Sequence, residues 1–125
     1  MAAVADYRPA DVAQGKIKKS NDRMTIDLVK NPDILADVAA LDNAPFCVGF
    51  AAETDNIIEY ARGKLERKKL DMIAANHVGG EETGFGVEDN AITLISADKV
   101  VDLPKQNKTM LARALLREIS TQFNS

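Results

Sequence analysis

The lysine side chains are the first candidates for chemistry in this sequence. Lys16, Lys18 and Lys19 place three positive charges within four positions, behind an acidic stretch that contains Asp6 and Asp11. A mobile lysine beside a triphosphate could neutralise the negative charge that develops on a phosphoryl oxygen or on leaving pyrophosphate. Most lysine clusters in loops are simply solvated, and the residues alone leave both interpretations open.

A second pair of lysines lies on a predicted helix over residues 56–69. Successive residues advance by about 100° around a helix, which gives an inward apolar stripe of Ile57, Ile58, Ala61 and Leu65. Lys64 and Lys68 continue that stripe, whereas the other charged residues of the helix fall opposite. A lysine in this position must either extend its ammonium group beyond the core or meet an anion. Both remain open.

The remaining candidates carry weaker signals. Asn31, Pro32 and Asp33 predict a helix start, with Asn31 as N-cap, that offers free backbone amides to an anion or a base edge. Asp6, after a buried strand, could accept from a ribose or an amino group, or could cap a turn. Phe50 could pack against a nucleobase or belong to the core. A buried inert thiol is expected for Cys47, and no role is expected for His77.

The order of predicted elements indicates an α/β fold. Apolar or alternating stretches predict strands over 2–5, 24–29, 46–52 and 70–78, followed by a hairpin over 91–96 and 100–104. Helices are predicted over 31–41 and 56–69, the latter capped by Thr54 or Asp55, and over a C-terminal stripe that includes Leu111, Leu115 and Ile119. Residues 8–23 and 79–86 are predicted to be loops. Together these indicate a three-layer, Rossmann-like domain with a mostly parallel sheet and a late β-hairpin.

Composition excludes several classes of protein. The chain has 125 residues and a net charge of −3, and only 5% of its residues are aromatic, which disfavours a protein that coats nucleic acid. No apolar run reaches the length of a membrane span, and the N-terminal residues lack the pattern of a signal peptide. A single cysteine excludes an internal disulfide and favours a reducing cytoplasm.

Seven motifs occur in an order that resembles one enzyme family. They are "AAVADYRP", "KIKK", "LVKNPDIL", "VGFAAET", "YARGKLERKKLD", "IAANHV" and "DNAITLI". In this order they resemble the C-terminal portion of bacterial phosphopantothenate–cysteine ligase, the synthetase half of a bifunctional coenzyme A biosynthesis enzyme. The resemblance covers almost the whole chain. It also implies that an N-terminal phosphate-loop half and a flavin-dependent decarboxylase domain are absent here, so that residues 1–125 form only part of an active site.

The resemblance implies a reaction and a set of residues. CTP, with Mg²⁺, would activate the carboxylate of 4′-phosphopantothenate as an acyl-cytidylate and release pyrophosphate; cysteine would then attack, releasing CMP. The positions that match the family's CTP-binding residues are Met1, Ala2, Asp6, Lys16, Pro32, Asp33, Ile34, Leu35, Phe50, Lys64 and Lys68. Lys16 opens the family's lysine motif and is the catalytic candidate. FMN would belong to the absent decarboxylase domain, and a cytoplasmic homodimer or higher homo-oligomer is expected.

Two other functions remain to be weighed against this one. A non-catalytic α/β module that binds nucleotides or assembles with a partner could keep the same scaffold. An RNA-binding protein with a basic loop is disfavoured by the acidic net charge. Selective binding of CTP would distinguish the ligase from the non-catalytic module, and a steep salt dependence would be needed to revive RNA binding.

Overall fold

The computed structural model describes residues 4–19, 22–77 and 89–125, which fall in two compact units, Met1–Ile34 and Leu35–Ser125. The predicted loop over residues 79–86 and the sites at Met1 and Ala2 lie outside the described residues. Among the described helices, none combines the length and the apolar character needed to cross a bilayer.

The first unit contains two short strands. β1 (Tyr7–Pro9) and β2 (Leu28–Lys30) pair antiparallel, with Tyr7 opposite Lys30. The half-buried strand predicted over 24–29 is therefore wrong in extent and in burial, because β2 begins at Leu28 and is exposed throughout. Val4 is likewise 55% exposed, in contrast to the buried strand predicted over 2–5. Alternation signals a pleated strand, but a three-residue ladder covers little apolar surface.

The remaining elements follow the predicted order. They are α1 (Ile34–Ala39), β3 (Val48–Glu53), α2 (Ile57–Lys68), β4 (Met72–His77), β5 (Asp89–Ser96), β6 (Val100–Asn107) and α3 (Lys108–Phe123). The predicted late hairpin is confirmed as β5 and β6, and the C-terminal helix as α3. Asn107 caps α3 by accepting a hydrogen bond from the backbone N–H of Met110 at 2.9 Å.

The four-stranded sheet has the order β3-β4-β5-β6. β3 and β4 are parallel, whereas β4–β5 and β5–β6 are antiparallel, so one of the three described pairings is parallel rather than most of them. The α2 crossover makes the parallel pair possible. Fewer residues separate β4 from β5 and β5 from β6 than separate β3 from β4, and antiparallel strands need no crossover between them.

Alternation along the strands builds a core on each face of the sheet. On the face towards α2, Ile73, Ala75 and Ile95 pack with Ala61 and Leu65 of the helix. On the other face, the sheet packs against Leu111 and Leu115 of α3 through the strand residues Met72, Ala74, Leu94 and Leu103. Helix, sheet and helix therefore form the predicted three layers of an α/β fold.

Two predicted caps are wrong. α2 begins after Asn56, whose backbone is left-handed (φ 45°), and no side chain caps it, so neither Thr54 nor Asp55 has that role. α1 begins at Ile34 rather than directly after Asn31. The Asn31 side chain is engaged elsewhere, because its amide donates to the carbonyl oxygen of Ala5 at 2.8 Å.

Candidate functional site

A hydrogen-bonded junction in the first unit places Asp6 beside the segment that leads into α1. The backbone N–H of Asn31 donates to the carbonyl oxygen of Asp6 at 2.8 Å. The guanidinium group of Arg8 donates to Oδ1 of Asn31 at 3.1 Å and to the carbonyl oxygen of the preceding residue, Lys30, at 3.0 Å. The structure thus pairs the predicted site position Asp6 with Asn31, the residue that precedes the predicted site position Pro32.

The lysine cluster lies on an exposed segment without helix or strand. Lys16, Lys18 and Lys19 are all exposed, and so are the apolar residues around them, with Val12 80% and Ile17 64% exposed. The loop predicted over residues 8–23 is confirmed for residues 10–19 and 22–23 but is wrong for Arg8 and Pro9, which belong to β1. No core packing fixes the Lys16 side chain, so its ammonium group can adopt many positions.

The predicted site residues at α1 and β3 differ in exposure. Ile34 is 59% exposed and Asp33 is also exposed, whereas Leu35 packs against the α2-side core. Phe50 is 51% exposed and is therefore not a core residue. It alternates with buried Gly49 and Ala51, which places it on the face of β3 away from α2.

Lys64 is held at the carboxyl end of β3. Its ammonium group donates to Oε1 of Glu53 at 2.6 Å, with side-chain exposures of 38% for Lys64 and 12% for Glu53. The helix prediction is confirmed for Ala61 and Leu65, which are buried, and for Lys64 and Lys68, which are half-buried. It is wrong for Ile58, which belongs to the predicted inward stripe and is 47% exposed. Glu53 shares the α2-facing side of β3 with Ala51, so Phe50 and the Glu53–Lys64 pair lie on opposite faces of the strand.

A third polar group lies across β4, β5 and β6. Nε2 of His77 is 2.7 Å from Oγ1 of Thr93, whose hydroxyl donates to Oδ1 of Asp102 at 2.7 Å. These three residues and the first turn of α2 line a cleft of about 810 Å³. Across residues 4–19, 22–77 and 89–125, no group of three His, Cys, Asp or Glu residues is arranged to hold a metal ion.

Sequence reasoning missed Glu53, Thr93 and Asp102, and it gave His77 no role. A signal was present for Thr93 and Asp102, since each is a polar residue at a position that strand alternation turns towards the α2-side core. Glu53 carried a weaker signal as an acid at the end of an apolar strand. Cys47 is buried, as predicted, and its thiol donates to the carbonyl oxygen of Pro45.

The three-layer arrangement and the polar groups at its strand ends define an α/β domain of the Rossmann-like class. The chain belongs to the family described as "DNA/pantothenate metabolism flavoprotein C-terminal domain", whose family model matches residues 1–123. This membership confirms the resemblance that the seven motifs indicate.

Similar proteins include the coenzyme A biosynthesis bifunctional protein CoaBC of Vibrio cholerae, 56% identical over 125 residues, and that of Escherichia coli K12, 52% identical over 127 residues. Each match covers 98% of this chain and 31% of the relative. The chain therefore spans about a third of the length of the curated relatives it matches.

Solved structures are similar over nearly the whole chain. The crystal structure of the C-terminal domain of CoaBC has a TM-score of 0.73 and 34% identity, and the match covers 98% of this chain and 52% of that one. The DNA/pantothenate metabolism flavoprotein from Streptococcus pneumoniae has a TM-score of 0.72 and 21% identity, covering 95% of this chain and 60% of that one. The second match supports the fold alone.

Proposed function

We propose that this chain supplies part of the active site of a CTP-dependent phosphopantothenate–cysteine ligase in coenzyme A biosynthesis. In that reaction the carboxylate of 4′-phosphopantothenate attacks the α-phosphorus of CTP, forming an acyl-cytidylate and pyrophosphate. The amino group of cysteine then attacks the acyl carbon, and CMP leaves. Identity of 52–56% to the CoaBC proteins over nearly the whole chain supports this proposal.

The half-buried ammonium group of Lys64 is the observation that carries the proposal. A cation on the inward side of a helix needs an anion, and Glu53 supplies one at 2.6 Å. Phosphate oxygens offer a stronger set of acceptors for the same ammonium group. We infer that a CTP phosphate shares or replaces Glu53 as its partner, and that Lys68, one helical turn later, contributes a second charge.

Lys16 has the complementary role in this proposal. Its segment is exposed and irregular, so its ammonium group is free to approach the triphosphate. There it would neutralise charge on the leaving pyrophosphate. Asp6, which pairs with Asn31, and Pro32, the residue after Asn31, are proposed to contact the nucleoside. Mg²⁺ enters this account as part of the substrate, bound to the triphosphate rather than to a cluster of protein ligands.

Replacement of Lys16 in a complete ligase tests the proposal. Such a ligase is obtained by substituting this chain for the matching region of the Vibrio cholerae relative. Lys16→Ala is expected to lower turnover by about 100–1,000-fold while CTP affinity changes little, because the lost charge acts mainly in the transition state. Lys19→Ala, the matched control, removes an exposed charge from the same segment and should retain turnover.

The kinetic pattern decides between the proposal and its alternatives. Equal losses of turnover and CTP affinity on Lys16→Ala would make Lys16 a binding residue only. A folded chimera without ligase activity, whose parent relative is active, would favour the non-catalytic α/β module.

A further inference from the structure

The cleft beside the first turn of α2 adjoins the Glu53–Lys64 pair, because Glu53 and His77 are register partners at the ends of β3 and β4, but neither Glu53 nor Lys64 lines it. It is a shallow, open cleft of about 810 Å³. Eight of its ten lining residues are polar, and six of these carry the charges and hydrogen bonds considered below: Asp55, Glu59, Arg62, His77, Thr93 and Asp102. All of them belong to the unit Leu35–Ser125.

Hydrogen bonding fixes the tautomer of His77. A carboxylate can only accept, so the 2.7 Å contact between Thr93 Oγ1 and Asp102 uses the single proton of the threonine hydroxyl. Thr93 must then accept from His77, which requires a proton on Nε2. In the neutral form of the imidazole, Nδ1 then carries the lone pair. No described residue donates to it, so His77 can accept a hydrogen bond from a ligand.

In the part of the chain that the structure describes, the middle of this chain of hydrogen bonds is buried and its two ends are partly accessible. Thr93 is 3% exposed, which fixes its hydroxyl between the two partners. His77 is half-buried and Asp102 is exposed, and both line the cleft. The network therefore presents the imidazole of His77, the only histidine in the chain, at the wall of the cleft.

The charges of the cleft select the chemistry of its ligand. The three carboxylates of Asp55, Glu59 and Asp102 outnumber the one guanidinium group of Arg62. The negative balance attracts an ammonium group and disfavours a polyphosphate. Arg62 offers a planar fork that suits a carboxylate. An ammonium group and a carboxylate on one small molecule describe an α-amino acid.

We propose that this cleft binds a small α-amino acid, with its ammonium group donating to Nδ1 of His77 and its carboxylate on Arg62. The carboxylates of Asp55, Glu59 and Asp102 provide the surrounding negative potential. The choice of cysteine as that amino acid rests on the proposed ligase function, in which cysteine is the amine substrate. His77 and Arg62 would then determine which amine enters the reaction.

Nitrogen NMR of the imidazole in the 125-residue chain tests this site, because a single histidine gives one pair of ring signals. In the free protein, Nε2 is expected to be the protonated nitrogen, and Thr93→Val should remove that preference. L-cysteine, added under reducing conditions, should shift the Nδ1 signal saturably. 3-Mercaptopropionate, which lacks the amine, should not.

Arg62→Met separates recognition of the carboxylate from recognition of the amine. This substitution should weaken L-cysteine binding about tenfold, as expected for one lost charge-assisted hydrogen bond, and leave the weaker binding of cysteamine unchanged. Arg67→Met removes an exposed charge from another part of α2 and should affect neither ligand.

Four results would overturn the inference or part of it. They are the absence of a saturable L-cysteine shift, an equal response to 3-mercaptopropionate, a free-protein tautomer protonated at Nδ1, or Arg62→Met binding L-cysteine as the unaltered chain does. Equal binding of L-serine would overturn the assignment to cysteine. CTP is titrated separately, so a failure of CTP binding would count against the proposed ligase and leave the amino acid site intact.

Discussion

The unit Met1–Ile34 and the unit Leu35–Ser125 place their lysines in opposite environments. Lys16 lies on an exposed segment where neighbouring apolar side chains are exposed as well. Lys64 lies on a helix whose adjacent residues Ala61 and Leu65 are buried, and a carboxylate holds its ammonium group. The first setting allows a charge to move, whereas the second holds a charge in place. A ligase that must bind a triphosphate and then stabilise its reaction has a use for both.

The largest expected contrast between the two units concerns stability. Ile73, 2% exposed in the core, should lose about 2–5 kcal/mol of unfolding free energy on Ile73→Ala because a cavity is left behind. Ile26, 62% exposed, should change by less than about 0.5 kcal/mol on Ile26→Ala. Urea unfolding of both variants measures the difference. Similar losses would mean that the first unit has a packed core of its own.

Glycine substitutions sharpen the same comparison. A Cβ atom at Gly49 would lie 2.8 Å from Cδ1 of Leu70 and 3.3 Å from Cδ2 of Leu35, and both leucines belong to the packed unit. Gly49→Ala should therefore destabilise the protein by about 1–3 kcal/mol through overpacking. Gly15→Ala, the control, meets no atom within 4 Å and should alter stability by less than about 1 kcal/mol. A neutral Gly49→Ala would show that Leu70 can move aside freely.

Local periodicity explains which parts of this molecule could be predicted. The inward face of α2, the β5–β6 hairpin and the apolar stripe of α3 depend on neighbours within one element, and all three are confirmed. The same kind of pattern gave a wrong prediction of a half-buried strand over residues 24–29, where Ile26 and Leu28 are exposed. Alternation does not show whether another layer of the protein covers a strand.

The site residues that escaped prediction depend on pairings between distant parts of the chain. Thr93 meets Asp102 because β5 and β6 place them directly opposite each other, and His77 reaches them from β4. Glu53 meets Lys64 only through the crossover between β3 and α2. Such contacts follow from the register and direction of strands, which a single sequence leaves undetermined.

The smallest expected effect on stability concerns the ion pair itself. Lys64→Met keeps most of the apolar stem but leaves the Glu53 carboxylate, 12% exposed, without its cation, so a loss of about 1 kcal/mol is expected. Adding Glu53→Gln to that variant should restore most of the loss, because the stranded charge is removed. A double-mutant cycle in urea measures the coupling. Purely additive effects would show that the pair contributes nothing in solution.

Calorimetric titration of the complete ligase with CTP, ATP and GTP tests the central claim most directly. CTP should bind at least about tenfold more tightly than the two purine nucleotides. Lys64→Met should weaken CTP binding about tenfold, as expected for one lost charge-assisted contact, while Arg67→Met leaves it unchanged. Equal affinity for the three nucleotides would contradict a site selective for CTP, and unaltered CTP binding by Lys64→Met would contradict the claim that this helix holds its phosphates.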